Sequence, residues 1–350
     1  MKAYFNFVLY VTLLLSPVSA IYSQAVDHTH IQQPNVNTNK YNLPERWVKT
    51  NLPGDAGNLN CLTSGYSYIF AGTTKGVYRS NNGGKNWTKV NGGLEFNVVA
   101  LAVNDNFIFA SSQGQGDFGP NKGFFRSNDE GISWERTNEN VFSCLAVNGN
   151  NVYAVYNWPS GGVIYLSMDN GANWTLDNNG LNNAGIISSI AVNGANVFAG
   201  TKSNGVFLSK SDGTPWTQLK SNLIPSNINC LSVCGTSVFA GTNAGIFLSS
   251  DNGTNWNKVN DQVVNCFAVR ANNICAGNTN VYLSTDNGIT WTAVGQIDKS
   301  INSLTLSPMN TYAGTQNEGI WRMSHPLIKK KITSNLPKHK PIQNPGSHVY

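Results

Sequence analysis

The residues able to do chemistry are few and badly placed for most of it. All five histidines (His28, His30, His325, His339, His348) stand near the two ends of the 350-residue chain. A Ser-His-Asp or Cys-His nucleophile, or a histidine-ligated zinc, needs its histidine inside the folded body. Those classes are excluded, and no metal or cofactor is expected. Three Asp-Asn-Gly turns (Asp169, Asp251, Asp286) resemble the start of calcium loops. Calcium needs several oxygens at alternating positions and a bidentate acid downstream, which none of them has. Glycoside hydrolysis asks only for two facing carboxylates. The acids free for that role are Asp55, Glu95, Asp105, Asp117, Asp177, Asp261, Asp298 and Glu318, and no spacing forces any two together. The chain therefore reads as non-enzymatic, with a glycoside hydrolase or a lectin as the alternative.

The elements that must position these residues come from a repeat. A Ser-x-Asp-x-Gly-x-x-Trp box recurs at 80–87, 127–134, 167–174, 209–216, 249–256 and 284–291. Its third position is Asp129, Asp169, Asp251 and Asp286, with Asn82 in the first box and Ser211 in the fourth. Its last is Trp87, Trp134, Trp174, Trp216, Trp256 and Trp291. Upstream, Cys61, Ala100, Cys144, Ser189, Cys230, Cys266 and Ser303 each precede an alanine by ten residues, which gives seven units. Alternating uncharged strands covered on both faces, joined by Asn-Gly turns, predict an all-β, seven-bladed β-propeller with four-stranded blades. The seventh unit lacks a box after Trp321. The segment Trp47-Val48-Lys49-Thr50 matches the box-trailing strands, so the N-terminal segment is expected to supply the outer strand that completes the last blade. Residues 45–323 then hold about 40 residues per blade, normal for such units.

In the box, a short Asp or Asn holds the turn by accepting backbone N–H bonds, Gly permits positive φ, and Trp buries a large ring. The box residues are thus read as structural. Four cysteines fall in the small-residue column, where equivalent positions of different blades are not natural disulfide partners. They read as small buried side chains; Cys234 and Cys275 are left without a role.

The ends carry other information. Lys2, an apolar run over 5–15 and Val18-Ser19-Ala20 read as a signal peptide over residues 1–20, so the protein is expected outside the cytoplasm, secreted or periplasmic. A flexible leader (21–44) and a basic, disordered tail (324–350) with five lysines and no acid are expected to flank the propeller. Residues 21–323 carry 17 basic and 18 acidic side chains, a formal charge of −1. Nucleic-acid binding, which needs a basic stripe on the body, is not expected, nor is a membrane span.

The boxes resemble those of Asp-box (BNR) propellers: sialidases, xyloglucan-degrading hydrolases, sortilin-type receptors and the photosystem II assembly and stability factor group. Seven boxed blades with little else are most similar to the last group. The resemblance implies a substrate face opposite the boxes, made of the second-to-third-strand loops and the blade-to-blade connections. Sialidase chemistry would need three arginines converging on that face. Arg79, Arg126 and Arg322 fall on third strands, Arg46 and Arg136 on outer strands and Arg270 in a hairpin turn, so none is expected there. Assembly factors of this group imply an arginine-rich client surface, and six scattered arginines depart from it.

The repeat breaks its spacing at one place. The second-to-third-strand segments of blades 2 and 3, at 111–122 and 156–162, are longer than the rest and adjacent on one face. They carry Gln113, Gln115, Asp117, Phe118, Tyr156 and Trp158, with Glu95 and Phe96 on a neighbouring connection. Insertions of this kind collect function in repeat proteins. The patch is read as a contact for a protein or carbohydrate ligand of a monomeric scaffold; the competing reading is tolerated loop growth with the aromatics folded down as cover.

Overall fold

A computed structural model describes residues 47–114, 121–211, 213–220, 224–315 and 317–324. The expected signal peptide, the leader, the tail beyond Ser324, and Gln115, Asp117 and Phe118 lie outside the described residues. Seven four-stranded antiparallel sheets make up the described chain. Blade 1 runs through Leu59–Gly65, Tyr68–Thr73, Gly76–Ser80 and Thr88–Lys89. Blades 2 to 6 repeat the pattern, with first strands at Val98–Val103, Cys144–Asn148, Ile187–Asn193, Ile228–Cys234 and Cys266–Arg270. Blade 7 takes Ile301–Leu306, Asn310–Thr315 and Gly319–Ser324 from the C-terminal side and Val48–Lys49 from the N-terminal side. Val48 pairs with Arg322 and Lys49 with Trp321.

First strands of successive blades pack side by side, and that of blade 7 returns to blade 1. Ser303 Oγ accepts the Leu62 N–H (2.8 Å) and Asn302 Nδ2 donates to Leu59 O (3.1 Å) across this seam. The small column explains how the strands come so close. Cys61, Ser189, Cys230, Cys266 and Ser303 stand opposite Gly72, Gly200, Gly241, Gly277 and Gly314. A Cβ on Gly72 would lie 2.5 Å from Cys61 Sγ and 2.9 Å from Val98 of the next blade. Two small residues thus make room for one branched one from the neighbouring wedge. All six cysteines are free, and burial pushes the Cys61, Cys266 and Cys275 thiols up to about 12, which leaves them packing groups rather than nucleophiles. Cys234 occupies the turn position held elsewhere by Asn104, Asn148 and Asn193. Each asparagine donates to a glycine carbonyl of the next blade (Gly149, Gly194, Gly235), and Cys234 Sγ lies 3.1 Å from Ala271 O in the same way.

Five boxes share one hydrogen-bond scheme. In blade 3, Ser167 Oγ accepts from Gly171 N (2.8 Å) and donates to Asp169 Oδ1 (2.7 Å). Asp169 in turn accepts the Asn173 N–H (2.9 Å) and Asn173 Nδ2 (2.7 Å). Asp129, Asp251 and Asp286 repeat this, and Asn82 reproduces the Oδ1 half, taking Ser80 Oγ and Asn86 N. The residue before the box glycine also has positive φ (Asn170, Asn252, Asn287, Gly83 and Glu130), which is why asparagine and glycine recur there; Glu130 alone adopts it as another residue type. In blade 4, Ser211 offers no carboxylate, and Ser209 Oγ turns to Thr214 O instead.

Three arginines expected on third strands brace this face. Arg79 donates to Glu130 O (2.9 Å), Arg126 to Asn170 O (3.2 Å) and Arg322 to Gly83 O (3.1 Å), each reaching the box of the next blade. Trp87, Trp216 and Trp256 are buried, and Trp134, Trp174 and Trp291 half-buried. Trp47 is the seventh such ring, 6% exposed among Val294, Ile297, Leu304 and Met323.

Removing Trp47 takes the outer ring from the closing blade. Trp47→Ala should cost about 3–5 kcal/mol, the usual loss for a buried Trp, read as a lower midpoint in equilibrium denaturation. An unchanged midpoint would contradict its place as a core pin.

The boxes also set a pH response. Hydrogen bonds from Asn173 hold Asp169 down to about 2, and those from Thr290 do the same for Asp286. Asp251 is lowered by Asn255, and Asp129 by Ser133 and Ser127 against an opposing effect of burial. A carboxylate lowered on folding stabilises the fold above its unfolded pKa and loses that contribution as pH falls through the folded value. Stability should thus decline between about pH 4 and 2. The double variant Asp169→Asn, Asp286→Asn keeps the Oδ1 acceptor, as Asn82 does, and should decline less steeply; an identical acid limb would refute the assignment.

Candidate functional site

Strand direction places the first-to-second-strand turns and the boxes on one face. The second-to-third-strand turns and the blade-to-blade connections lie on the other, the loop face. In blade 2 the second and third strands are Ile108–Gln113 and Lys122–Ser127, with Gln113 paired to Lys122. In blade 3 the expected loop at 156–162 is instead strand. Asn151–Trp158 pairs with Gly161–Ser167 up to Trp158 and Gly161, leaving only Pro159 and Ser160 as the turn. The insertion extends the hairpin beyond the sheet rather than loosening it.

Between the two hairpins lies a cavity of about 650 Å³, inside the range of roughly 300–1,000 Å³ usual for ligand sites. Gln113, Gly114 and Lys122 line it from blade 2, Tyr156 and Asn157 from blade 3. Val99, Val141 and Ser143 border it at the start of the first strands, and Glu139 and Asn140 from the connection between the blades.

Each wall is held by specific bonds. Asn97 O accepts the Gln113 N–H (2.9 Å). A relay of amides, Asn60 Nδ2 to Asn97 Oδ1 (2.6 Å) and Asn97 Nδ2 to Gln113 Oε1 (2.5 Å), ties blade 1 to this wall. On the other side Asn157 clamps blade 4: Nδ2 donates to Ile187 O (2.9 Å) and to Ser143 Oγ (3.0 Å), while Oδ1 accepts Ile187 N (3.0 Å). A side chain at Gly162 would meet that amide, its Cβ 2.5 Å from Asn157 Oδ1. Tyr156 is half-buried against the cluster of Phe109, Phe124 and Phe142. Trp158 meets Tyr156 edge-on with centroids 4.9 Å apart and is 51% exposed. One aromatic is thus local cover and the other a free surface.

The expected patch is brought together only in part. Gln113 and Tyr156 line the cavity and Trp158 rims it through Tyr156. Glu95, exposed, and Phe96, half-buried, lie on the connection between blades 1 and 2, on the same face but outside the lining. The expectation that no arginine reaches this face fails at Arg136, whose guanidinium donates to Lys122 O (3.3 Å) and sits 3.7 Å from Glu139. That exposed pair contributes little to stability, about 0–1 kcal/mol. Glu139, Asn140 and Asn157 were not singled out from sequence, since no repeat position or motif marks them.

Among the described residues Glu139 is the single carboxylate of the lining, where hydrolysis would use two. Two described acids of other blades are engaged elsewhere: Asp261 with Lys258 (2.5 Å), and Glu318 with Lys49 (3.2 Å) and Lys299 (3.3 Å). No group of three or more metal-ligating side chains occurs among the described residues. The lining supplies amides, one aromatic edge, a lysine and a carboxylate, a set suited to recognition.

Residues 143–275 match the family described as the DUF6242 beta propeller domain, and residues 282–293 match the BNR/Asp-box repeat. No curated protein matches the chain in sequence. Among solved structures, YCF48 from Cyanidioschyzon merolae is similar at 16% identity and a TM-score of 0.61, over 80% of this chain and 99% of that one. A structure of YCF48 bound to D1 peptide is similar to the same degree, at 15% and 0.61 over 82% and 98%. The extracellular domain of BT4673 from B. thetaiotaomicron gives 15% and 0.63, over 81% of this chain and 40% of that one. The GH74 xyloglucanase from Xanthomonas campestris gives 14% and 0.58, over 79% and 53%. At these identities the likeness is one of fold. Seven closed four-stranded blades and the box motif together identify the chain as a seven-bladed β-propeller built from Asp-box repeats.

Proposed function

We propose that this chain is an extracytoplasmic, non-enzymatic binding module that holds a segment of a partner protein in the loop-face cavity between blades 2 and 3. The observation that carries the reading is the cavity itself, formed where two neighbouring hairpins outgrow the repeat. Its rim offers a half-exposed Trp158, the residue type that most often anchors an interface. The peptide-bound YCF48 supports a protein ligand, since it joins a similar fold to a bound peptide. Export is supported by Lys2, the apolar run and the small residues before Ile21, and by the extracellular domain among the similar structures. Among the described residues no helix is long and apolar enough to cross a membrane. The propeller body, formally −1, disfavours nucleic acid. We take the active form to be a monomer with residues 21–44 and 324–350 as flanking segments.

A glycan is the second reading, favoured by one observation: the amides of Gln113 and Asn140 line the cavity together with Tyr156, whose ring meets the half-exposed Trp158, a combination that also suits sugar rings and hydroxyls.

The chain immobilised and exposed to the native extracellular fraction should retain a partner, and a Gln113→Ala, Trp158→Ala variant should retain it at least tenfold less. Tenfold corresponds to about 1.4 kcal/mol, above the roughly 1 kcal/mol that only a minority of interface side chains reach on truncation. Ile132→Ala, on the exposed box face, serves as the control. Equal retention by the double variant with its fold intact would move the site elsewhere.

A further inference from the structure

The second strand of blade 3 outruns the first. Cys144 begins the first strand opposite Val155, so Tyr156, Asn157 and Trp158 have no first strand beside them. Alternation along the hairpin decides which backbone groups are left over. Gly162 gives its N–H to Gly185 O (2.7 Å), away from the second strand, while Val155 O accepts from Ser143 N (2.8 Å) on the first-strand side. Asn157 is opposite Gly162 in register. Its own N–H and C=O are therefore aimed at the inner edge, into the cavity that it lines. Neither group has a hydrogen-bond partner among the described residues. The chain that would have continued the first strand turns aside, with Asn140 N going to Asn138 Oδ1 (2.8 Å) and Phe142 N to Ser111 Oγ (2.8 Å).

We propose that the ligand of this cavity is an extended peptide that adds a short strand to the inner edge of the blade 3 hairpin, exchanging backbone hydrogen bonds with Asn157. The proposal rests on reading the cavity as the binding site. A donor and an acceptor on one residue, facing the same way at the open end of a strand, match a peptide backbone. Asn157's side chain is no part of this recognition, because its amide is consumed by Ile187 and Ser143. Tyr156 and Trp158 project to the opposite side, toward blade 2. Alternate side chains of the added strand would lie beside those rings, in the space bounded across the cavity by Gln113. The other set would face blade 4, where the Asn157 clamp already fills the surface. Specificity is thus expected at every second ligand residue, with flat or apolar side chains favoured.

The test uses linear peptides selected from a displayed random library on the full chain. N-methylation should weaken a selected peptide about tenfold at one alternate residue and leave the intervening positions unaffected, since only every second N–H faces the protein. The Asn157 amide should exchange more slowly when the peptide is bound. Tolerance of N-methylation at every position overturns the proposal, as does failure to select any peptide whose binding needs Trp158. If an array of oligosaccharides then yields a ligand lost in Trp158→Ala, the cavity stands as the site and strand addition fails. If neither class depends on Trp158, the reading of the site fails with it.

Discussion

Everything in this molecule depends on first strands approaching closely enough to close a ring of seven wedges. The approach is steric before it is anything else: a small residue opposite a glycine leaves the width of one branched side chain, and the next blade fills it. Cys61 opposite Gly72, with Val98 behind, is the unit, and Ser303 opposite Gly314, with Leu59 behind, closes the circle. The seam between the N-terminal strand and the rest of blade 7 is held mainly by burial. Trp47, at 6% exposure, leaves its indole N–H without a partner, as does Trp321, and Thr50 Oγ1 is likewise unpaired. Each orphan costs free energy, so the apolar contacts of these rings must exceed it. The Lys49–Glu318 ion pair across the same seam is exposed and adds little.

Closure sorts the molecule into two faces of different chemistry. On the box face the carboxylates of the boxes are already spent. Asp129, Asp169, Asp251 and Asp286 accept several bonds each from their own turns, and arginines from neighbouring blades cover the adjoining carbonyls. Residues so fully engaged stabilise turns and have little left for a ligand. On the loop face the repeat supplies short turns in most blades, and blades 2 and 3 depart from it together. In blade 3 the hairpin runs on to Trp158 and Gly161, and Tyr156 and Asn157 along it line the cavity.

The parts read from sequence were those enforced by repetition. A small residue ten positions before an alanine can be found seven times because ring closure imposes the same steric demand seven times. The outer strand at Trp47 was legible for a related reason, as the seventh copy of a ring that six boxes had defined. The site was less legible because it is where repetition stops. Pro159, Ser160, Gly161 and Gly162 have loop composition, yet only two of them turn; the rest stay in register because Asn157 and Gly162 are tied to Ile187 and Gly185 of the next blade. That constraint is tertiary and leaves no local signature. Glu139 and Asn140 join the cavity through the path of a connection, and Arg136 reaches Glu139 and Lys122 beside it through side-chain length. Cys234 gained a role only when its turn could be laid beside those of Asn148 and Asn193.

The assignment of blades to faces, and with it the binding account, stands on the N-terminal strand completing blade 7. Thr50 donates its amide to Ile320 O across that junction (2.8 Å). Residue-resolved hydrogen exchange measures the junction directly. If the ring is closed as described, Thr50 exchanges as slowly as Phe70 and Phe239 in the buried second strands, through global unfolding alone. Exchange of Thr50 at the rate of an unstructured terminus, while those residues stay protected, would mean that the ring is not closed there and would contradict the account.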